Sequence, residues 1–301
     1  MKSLINRRKH VNGEVVFDIF NYLFMIFLVF ITLYPFLNVL AISLNNSVDT
    51  VKGGITVFPR QFTLANYKSI FENNAIAISV FVSVARTVVG TVLGIISTAM
   101  VAYVISRKDF IARKFVTVVF VVTMYVSGGL IPEYMLIRNL QLAENFWVYI
   151  LPGLISVFNV IVLRSFIEGL PFELQEAAKI DGANDLMIFV RIILPLCIPV
   201  IATLSLFIAV GQWNSWFDTY LYCSSSKNLT TLQFELQKIL MSAQSSGQDI
   251  YGTSDTLMRN KVSPESLRMA MTVIATLPIL CVYPFVQRYF IKGLTLGSVK
   301  S

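Results

Sequence analysis

Charge is the scarcest property of this 301-residue chain: charged residues make up 14% of it and hydrophobic residues 55%. Soluble domains carry about 25% charged residues, whereas the mean hydropathy here is +0.70. The deficit excludes an ordinary water-soluble domain, because several runs reach the ~20 mostly apolar residues that cross a hydrocarbon core. We therefore predict an all-α membrane protein that crosses the bilayer several times.

Residues that bind metals or form disulfides are also few. The chain has one histidine, His10, and three cysteines, Cys197, Cys223 and Cys281, whose spacing fits neither a metal site nor a disulfide framework. It has no Gly-Lys dipeptide, hence no Walker A loop, and no H-E-x-x-H or G-x-S-x-G motif. These absences argue against an ATPase or a hydrolase. We predict a chain that is not an enzyme and binds neither cofactor nor metal itself.

Long apolar runs define six predicted transmembrane helices within a single domain over residues 1–301. The run after the N-terminal basic patch is too long for the ~7–15-residue apolar region of a signal peptide. We expect it to remain as the first span, bent near Pro35. The predicted spans cover residues 16–44, 75–105, 115–137, 146–166, 196–222 and 267–291.

The distribution of Lys and Arg orients these spans. Cytoplasmic loops carry an excess of both residues, which explains the net charge of +7 more simply than a nucleic-acid surface does. The short loop after the second span holds Arg107, Lys108, Arg113 and Lys114. Placing this loop inside puts both termini in the cytoplasm, together with the segment between the fourth and fifth spans.

That cytoplasmic segment, residues 176–195, is a polar interruption between two strongly apolar stretches. Residues 173–180 favour a short helix with Leu174, Ala177 and Ala178 on one face. Asp181-Gly182 is expected to end it, since glycine tolerates the left-handed conformation found at helix ends.

A second short helix is predicted directly afterwards. Asn184 is suited to cap it, and Pro195 is expected to stop it before the fifth span. Its apolar residues Leu186, Phe189, Val190 and Ile193 have helical spacing. Amphipathicity alone fits an ordinary interfacial loop as well as a docking site for a partner protein.

The sequence E-A-A-K-I-D-G-A at 176–183, followed by Phe189 and Leu194-Pro195, resembles the cytoplasmic motif of permease subunits of binding-protein-dependent ABC importers. In that family the motif is a coupling helix that inserts into the ATP-hydrolysing subunit. The resemblance implies the type I permease fold, with six transmembrane helices and a coupling segment at residues 173–195. It assigns ATPase coupling to Glu176, Ala177, Ala178, Asp181, Gly182, Ala183, Phe189 and Pro195.

Other motifs resemble the carbohydrate (maltose-type, MalG-like) branch of these permeases. They are P-R-Q-F-T-L at 59–64, Q-W-N at 212–214 and Q-R-Y-F at 287–290, while S-G-G-L-I-P at 127–132 resembles the LplC-like subgroup. The resemblance implies import of a sugar, and in that subgroup an oligosaccharide, across a bacterial cytoplasmic membrane. An importer of a non-sugar solute remains an alternative.

The resemblance also implies several partners. They are a second, homologous but different permease chain, two ATPase subunits that hold ATP and Mg, an extracytoplasmic solute-binding protein and membrane lipid, with no nucleic acid. An ion-coupled secondary carrier is the rival from another class. Such carriers place acidic residues near the membrane midplane, whereas the acids here cluster in loops and at span ends.

Polar residues within or beside the predicted spans are candidates for the translocation pathway. Arg86 lies mid-span, and it either contacts a ligand or forms an ion pair or hydrogen bonds with the partner permease; we favour the structural role. Aromatic faces with amide and carboxylate groups suit a sugar, although tryptophans also form belts at the headgroup level. The candidates are Arg86, Tyr125, Asn159, Gln212, Trp213, Asn214 and Asp218, with Glu133 and Tyr134 as weaker ones.

Overall fold

The computed structural model describes residues 2–72, 74–245 and 263–298, and these are almost entirely helical. Within these ranges β structure is limited to one antiparallel bridge between Asn45 and Phe62. A 3-10 turn covers Phe146–Tyr149 and a π-helical stretch covers Phe189–Ile193. The α-helices are α1 (Lys2–Ser43), α2 (Ser47–Thr50), α3 (Ala65–Glu72), α4 (Asn74–Ser106), α5 (Arg113–Tyr125), α6 (Leu130–Asn139), α7 (Val157–Glu168), α8 (Glu173–Ile180), α9 (Asp185–Ile188), α10 (Leu194–Leu196), α11 (Ile198–Asn214), α12 (Phe217–Tyr222), α13 (Leu232–Ser245) and α14 (Pro264–Ser298).

The chain divides into two compact units, one within residues 1–72 and 242–274 and the other within residues 73–241 and 275–301. In the first unit, α1 exposes every side chain from residue 14 to residue 36. These side chains are mostly apolar, and the most apolar 18-residue window within Glu14–Ser43 has a mean hydropathy of 2.4. Such a surface is stable in lipid and costly in water.

The loop after α1 is held together by buried polar side chains. The Asn66 amide donates to the carbonyls of Ser43 at 2.8 Å and Asn45 at 2.9 Å. Arg60 Nε donates to Asp49 Oδ2 at 2.9 Å. Hydrogen bonds from Asn45 and from Arg60 hold the pKa of Asp49 below its usual value. Arg60, from the motif at 59–64, and the nearby Asn66 thus have a structural role in this loop.

The second unit is organised around α4, which packs along both α7 and α11. Its core lies where these helices meet the segment from α8 to α10. The largest fully buried apolar side chains there include Leu163, Ile188, Ile193 and Leu204. This packing places residues 173–195 directly against the end of α4.

The structure has fewer continuous helices that could span a membrane than the six that the sequence predicts. Three stretches are long and apolar enough among the described residues: Glu14–Ser43, Asn74–Ser106 and Pro264–Pro284. Two more are bent pairs, α5 with α6 at 117° and Asp185–Leu196 with α11 at 82°. Counting each pair as one gives five.

The remaining predicted span, residues 146–166, is not one helix. It consists of the 3-10 turn and the first part of α7, separated by an irregular stretch over 150–156. Pro152 disfavours helical backbone before it, and Gly153 follows at once. Similarly, Gly128 and Gly129, the latter with φ +86°, separate α5 from α6.

The expected stop at Pro195 was wrong. Helical backbone continues through α10 to Leu196, and the break falls at Cys197, just before Ile198 and Pro199 start α11. Proline is tolerated in the first turn of a helix, where its missing N–H needs no partner. Pro195 and Pro199 each occupy such a first turn. Because the helix breaks at Cys197, the bend lies next to Pro199 and not at Pro195.

Candidate functional site

Arg86 is the centre of a buried cluster, which we call the arginine cluster (Arg86, Tyr149, Gln212, Asp218). Only 2% of Arg86 is exposed, and a charge buried that far needs partners. Nη2 and Nη1 donate to the two Asp218 carboxylate oxygens at 2.5 and 3.2 Å. Gln212 Oε1 accepts from Nη2 at 3.0 Å and from Nε at 3.1 Å. Three predicted pathway residues therefore meet at one place.

The other side of the guanidinium is also occupied. Its Cζ lies 4.4 Å from the centre of the Tyr149 ring, a cation–π arrangement. Nη1 also donates to the Ser215 carbonyl at 3.3 Å, and the Gln212 amide donates to the Tyr149 carbonyl at 3.3 Å. The ion pair that we expected with a second subunit is formed within this chain, and Arg86 acts as a connector of helices.

A glycine makes this close approach of α4 and α11 possible. A Cβ atom added to Gly90, one turn beyond Arg86, would lie 2.9 Å from the Gln212 side chain. At Gly94, one further turn along, the nearest atoms belong to Ile208 at 3.5 Å, an ordinary contact. Gly90 is therefore the position at which the helix surface leaves room for Gln212.

The remaining predicted pathway residues lie outside the arginine cluster. Trp213 is 7% exposed and donates its indole N–H to the Ala275 carbonyl at 2.7 Å. Asn214 is exposed and accepts from an amide of α13 at 3.1 Å. Tyr125, at the end of α5, is 83% exposed, while Asn159 is 5% exposed in the first turn of α7. Four of the seven predicted pathway residues, Tyr125, Asn159, Trp213 and Asn214, are thus not part of the arginine cluster.

The segment of residues 173–195 has the helix, turn and cap that its sequence predicts. α8 ends in a Schellman motif: Ala183 N–H donates to the Ala178 carbonyl at 2.9 Å and Gly182 N–H to the Lys179 carbonyl at 3.0 Å. Gly182 has φ +81°. Asn184 Oδ1 accepts from Met187 N–H at 2.8 Å and caps α9. These three features are confirmed.

The exposed and buried faces of the segment differ from the prediction. Gln175 and Ala178 are buried on α8, whereas Leu174 and Ala177 point outward, so the three residues expected on one face are divided. The 3.6-residue periodicity of α8 is compatible with burial of either face, and packing against α4 determines which face is buried. Among the predicted coupling residues, Ala178 and Phe189 are buried, Ala183 is half-buried, and Glu176, Ala177, Asp181, Gly182 and Pro195 are exposed.

Sequence reasoning missed the residue that anchors this segment. Arg107, the first residue after α4, is 9% exposed. Its guanidinium contacts the carboxylates of Asp109 at 2.7 Å and Asp185 at 3.2 Å, and donates to Gln175 Oε1 at 3.2 Å. Lys179 adds a contact to Asp109 at 3.7 Å. From the sequence, Arg107 serves only to orient the loop, although its position at the end of an apolar helix is a signal for a buried role.

These contacts keep the anchor charged over the physiological range. The hydrogen bond from Arg107 lowers the pKa of Asp109 from 3.8 to about 2, and the same bond raises the pKa of Arg107. Because the folded state lowers the pKa of Asp109, the ionised carboxylate stabilises the folded structure fully above about pH 4. This stabilisation is lost only as the pH falls towards 2. The anchor is therefore not a pH switch near neutrality.

Aromatic packing completes the base of the segment. The Phe189 ring lies 5.1 Å from the Tyr103 ring on α4. Within the π-helical stretch, Phe189 and Ile193 are both buried while Val190 and Arg191 stay exposed. Polar contacts through Arg107 and apolar contacts through Phe189 thus hold one segment against one helix end.

Sequence comparison relates the chain to transport proteins. Residues 13–296 match the family described as binding-protein-dependent transport system inner membrane component. The polygalacturonan/rhamnogalacturonan transport system permease protein YtcP of Bacillus subtilis is 40% identical over 286 residues, covering 95% of this chain and 98% of YtcP. Protein LplC of the same organism is also 40% identical, with 95% of each chain covered.

Structural comparison gives a consistent result. The fold matches a chain in the crystal structure of a bacterial ABC transporter involved in the import of the acidic polysaccharide alginate. The TM-score is 0.85 at 25% identity, and the match covers 92% of this chain and 98% of that one. The all-helical architecture is therefore that of an ABC importer permease.

Proposed function

Because the chain belongs to the family of binding-protein-dependent transport system inner membrane components, we propose that it imports an oligosaccharide as one permease subunit of an ABC importer in a bacterial cytoplasmic membrane. The chain is a membrane transport subunit and not an enzyme. YtcP is named for transport of polygalacturonan and rhamnogalacturonan, and the structural relative for import of alginate. Polysaccharide fragments are therefore the cargo class that we assign.

The observation that carries the proposal is the exposed ledge formed by Glu176, Ala177, Asp181 and Gly182 on a buried base. Small side chains at its centre permit close approach of another protein, and two carboxylates offer charge to a basic partner. The Schellman turn and the Asn184 cap hold the ledge without help from a partner. We propose that this ledge is the exposed surface of a coupling segment, residues 173–195, that receives an ATPase subunit.

Movement of the ledge would reach the membrane interior through α4. The segment is joined to the end of that helix by Arg107 and Phe189. About 26 Å further along, at 1.5 Å per residue from Tyr103, α4 carries Arg86, which is fixed to Gln212 and Asp218. An ATPase biases the permease only through contacts that differ between its states, and we place these contacts on the face formed by residues 176–183.

The proposed topology has six spans with both termini in the cytoplasm, as one transmembrane domain. Five come from the three long helices, the bent pair of α5 and α6, and α11 beyond the bend at Cys197, and the sixth from residues 146–168 with their irregular middle. Lys and Arg enrichment in the loop after α4 supports the orientation. Single cysteines at Lys114 and Phe58, both exposed, should react with an impermeant thiol reagent from the inside and the outside respectively.

The proposed assembly contains a second permease, two ATPase subunits that carry ATP and Mg, and an extracytoplasmic binding protein. Six spans are too few to enclose a path for a sugar polymer alone. An exposed apolar row on α4 supports contact with lipid or the second permease. It comprises Phe81, Val84, Val88, Val92, Ile96 and Met100.

Reconstitution tests the function. The chain, co-purified with its partners in proteoliposomes, should take up labelled oligogalacturonides only with ATP and the binding protein. A Walker A variant of the ATPase is the matched control and should abolish uptake. Uptake driven by an ion gradient without ATP would contradict the proposal, and binding of a non-sugar solute alone would overturn the cargo class.

A further inference from the structure

A cavity of about 200 Å³ lies beside the arginine anchor, between the loop after α4 and the start of α8. Three cations line it, Arg107, Lys108 and Arg113, against one carboxylate, Glu168. Its other wall is apolar or uncharged, made by Ile167, Leu170, Phe172, Ser106 and Gln175. At about 30 Å³ per water, it has room for a phosphodiester with some hydration.

Two of the three lining cations already have carboxylate partners: Arg107 contacts Asp109 and Asp185, and Arg113 contacts Glu168. Glu168 is held by Arg113 and by Arg164, the latter at 2.8 Å, so its charge is compensated by two cations. Lys108 has no carboxylate within ion-pair distance among the residues that the structure describes, and its ammonium lies 5.3 Å from the centre of the Phe172 ring. The cavity therefore keeps a cation available for an anion.

The surroundings favour a lipid over a free anion. Ile111 is fully exposed and Phe115 is 72% exposed, and both flank the same cationic loop. Apolar side chains exposed beside lysine and arginine are typical of the membrane–water boundary. An anionic phospholipid fits both parts of the cavity, with its phosphate among the cations and its first chain carbons on the apolar wall. Inorganic phosphate would contact the cations alone.

We propose that this cavity binds the headgroup of an anionic phospholipid, with Lys108 as the main contact and Arg113 as the second. Basic pockets beside membrane helices suit such headgroups. Phe172 directly precedes α8 and Gln175 lies within it, and both line the cavity. A bound headgroup would therefore stabilise the position of the coupling segment from the membrane side. The inference rests on the proposed function for placing this loop at the cytoplasmic boundary.

Lipid retention by the purified transport complex tests the proposal. The complex is moved into nanodiscs of phosphatidylcholine with a minor fraction of phosphatidylglycerol, and retained lipid is counted by native mass spectrometry. Lys108→Gln should weaken phosphatidylglycerol retention by about fivefold, the effect of one basic residue near an anionic surface. Lys108→Arg should restore it, and Lys114→Gln, an exposed lysine outside the cavity lining, should leave it unchanged.

Equal retention by Lys108→Gln and Lys114→Gln would overturn the proposal. Displacement of the retained lipid by millimolar inorganic phosphate would also overturn it, by assigning the site to the free anion. The readout needs no transport, so a complex that retains lipid but takes up no sugar contradicts the proposed function and not this site. Size-exclusion chromatography of each variant confirms that the complex compared is intact.

Discussion

Arg86 and Asp218 are 132 positions apart in the chain, yet their charges depend on each other. Arg86 is almost completely buried, while the Asp218 side chain keeps 23% of its surface exposed. Burying two charges costs free energy that their attraction only partly repays, but removing one partner leaves an uncompensated charge. The pair is therefore a constraint on how α4 and α12 pack, whatever its net contribution to stability.

Asp218→Asn should destabilise the permease by about 3 kcal/mol or somewhat less, because Arg86 would keep its charge without a carboxylate. Removing both charges in Arg86→Met/Asp218→Asn should recover most of the loss. The measurement is the thermal unfolding of the detergent-solubilised complex. Asn214→Ala, on the exposed neighbour, is the control and should change little. Equal stability of single and double variants would mean that the pair imposes no such constraint.

Gly182 carries the second residue-scale prediction. Its φ of +81° with open space around it means that a β-branched residue would be opposed by backbone strain alone, of about 1–2 kcal/mol. Gly182→Val should let ATP hydrolysis continue while lowering sugar uptake per ATP, because the ledge changes shape. Gly182→Asn should be milder, since asparagine tolerates this conformation.

The control for that experiment is Gly153→Ala, at a glycine with open space and no positive φ. Uptake and hydrolysis are measured on the same proteoliposomes, so that their ratio is independent of the amount of protein. Normal uptake per ATP in Gly182→Val would remove this turn from the coupling mechanism.

At the scale of elements, the packing of α4 on α11 depends on the absence of a Cβ atom at Gly90. Gly90→Ala would place a Cβ 2.9 Å from the Gln212 side chain, whereas Gly94→Ala makes only ordinary contacts at 3.5 Å. Because hydrogen bonds to Arg86 and to the Tyr149 carbonyl hold the Gln212 side chain in place, we expect this contact to cost as much as core overpacking, about 1–3 kcal/mol. We expect Gly90→Ala to lower the unfolding temperature and Gly94→Ala to preserve it. If both behave alike, Gln212 has space that the structure does not show.

Local elements were accessible from the sequence. The bounds of α8, the turn at Gly182 and the cap by Asn184 follow from rules that act within a few residues. The break after Tyr125 and the division of residues 146–166 could also have been read from Gly128-Gly129 and Pro152-Gly153, but hydropathy averages over such breaks. The face that α8 buries was not predictable, because packing on α4 decides between two possible faces.

Contacts between helices that are distant in the sequence of the second unit could not be predicted from local sequence patterns. Nothing near Arg86 in the sequence indicates Gln212 or Asp218, and nothing near Arg107 indicates Gln175 or Asp185. Each pairing is fixed by how helices distant in sequence come together, which depends on the complete packing. The family resemblance supplied the architecture but no partner for either arginine.

Arg107 gives a prediction for the molecule as a whole, because it joins the proposed coupling segment to the helix that carries Arg86. Arg107→Gln removes the charge that holds Asp109 and Asp185 while keeping hydrogen-bonding capacity. We expect sugar uptake per ATP to fall several-fold while ATP hydrolysis persists, because the ATPase would move a segment no longer fixed to α4.

The matched control is Arg191→Gln, which removes an exposed cation from the same segment and should preserve coupling. A merely structural role would reduce uptake and hydrolysis together through loss of assembled complex, so the ratio of the two rates separates the explanations. Because the pKa of Asp109 is about 2, the wild-type ratio should also be independent of this anchor between pH 6 and 8. An unchanged ratio in Arg107→Gln would show that Phe189 and the apolar base transmit the motion without the charged anchor.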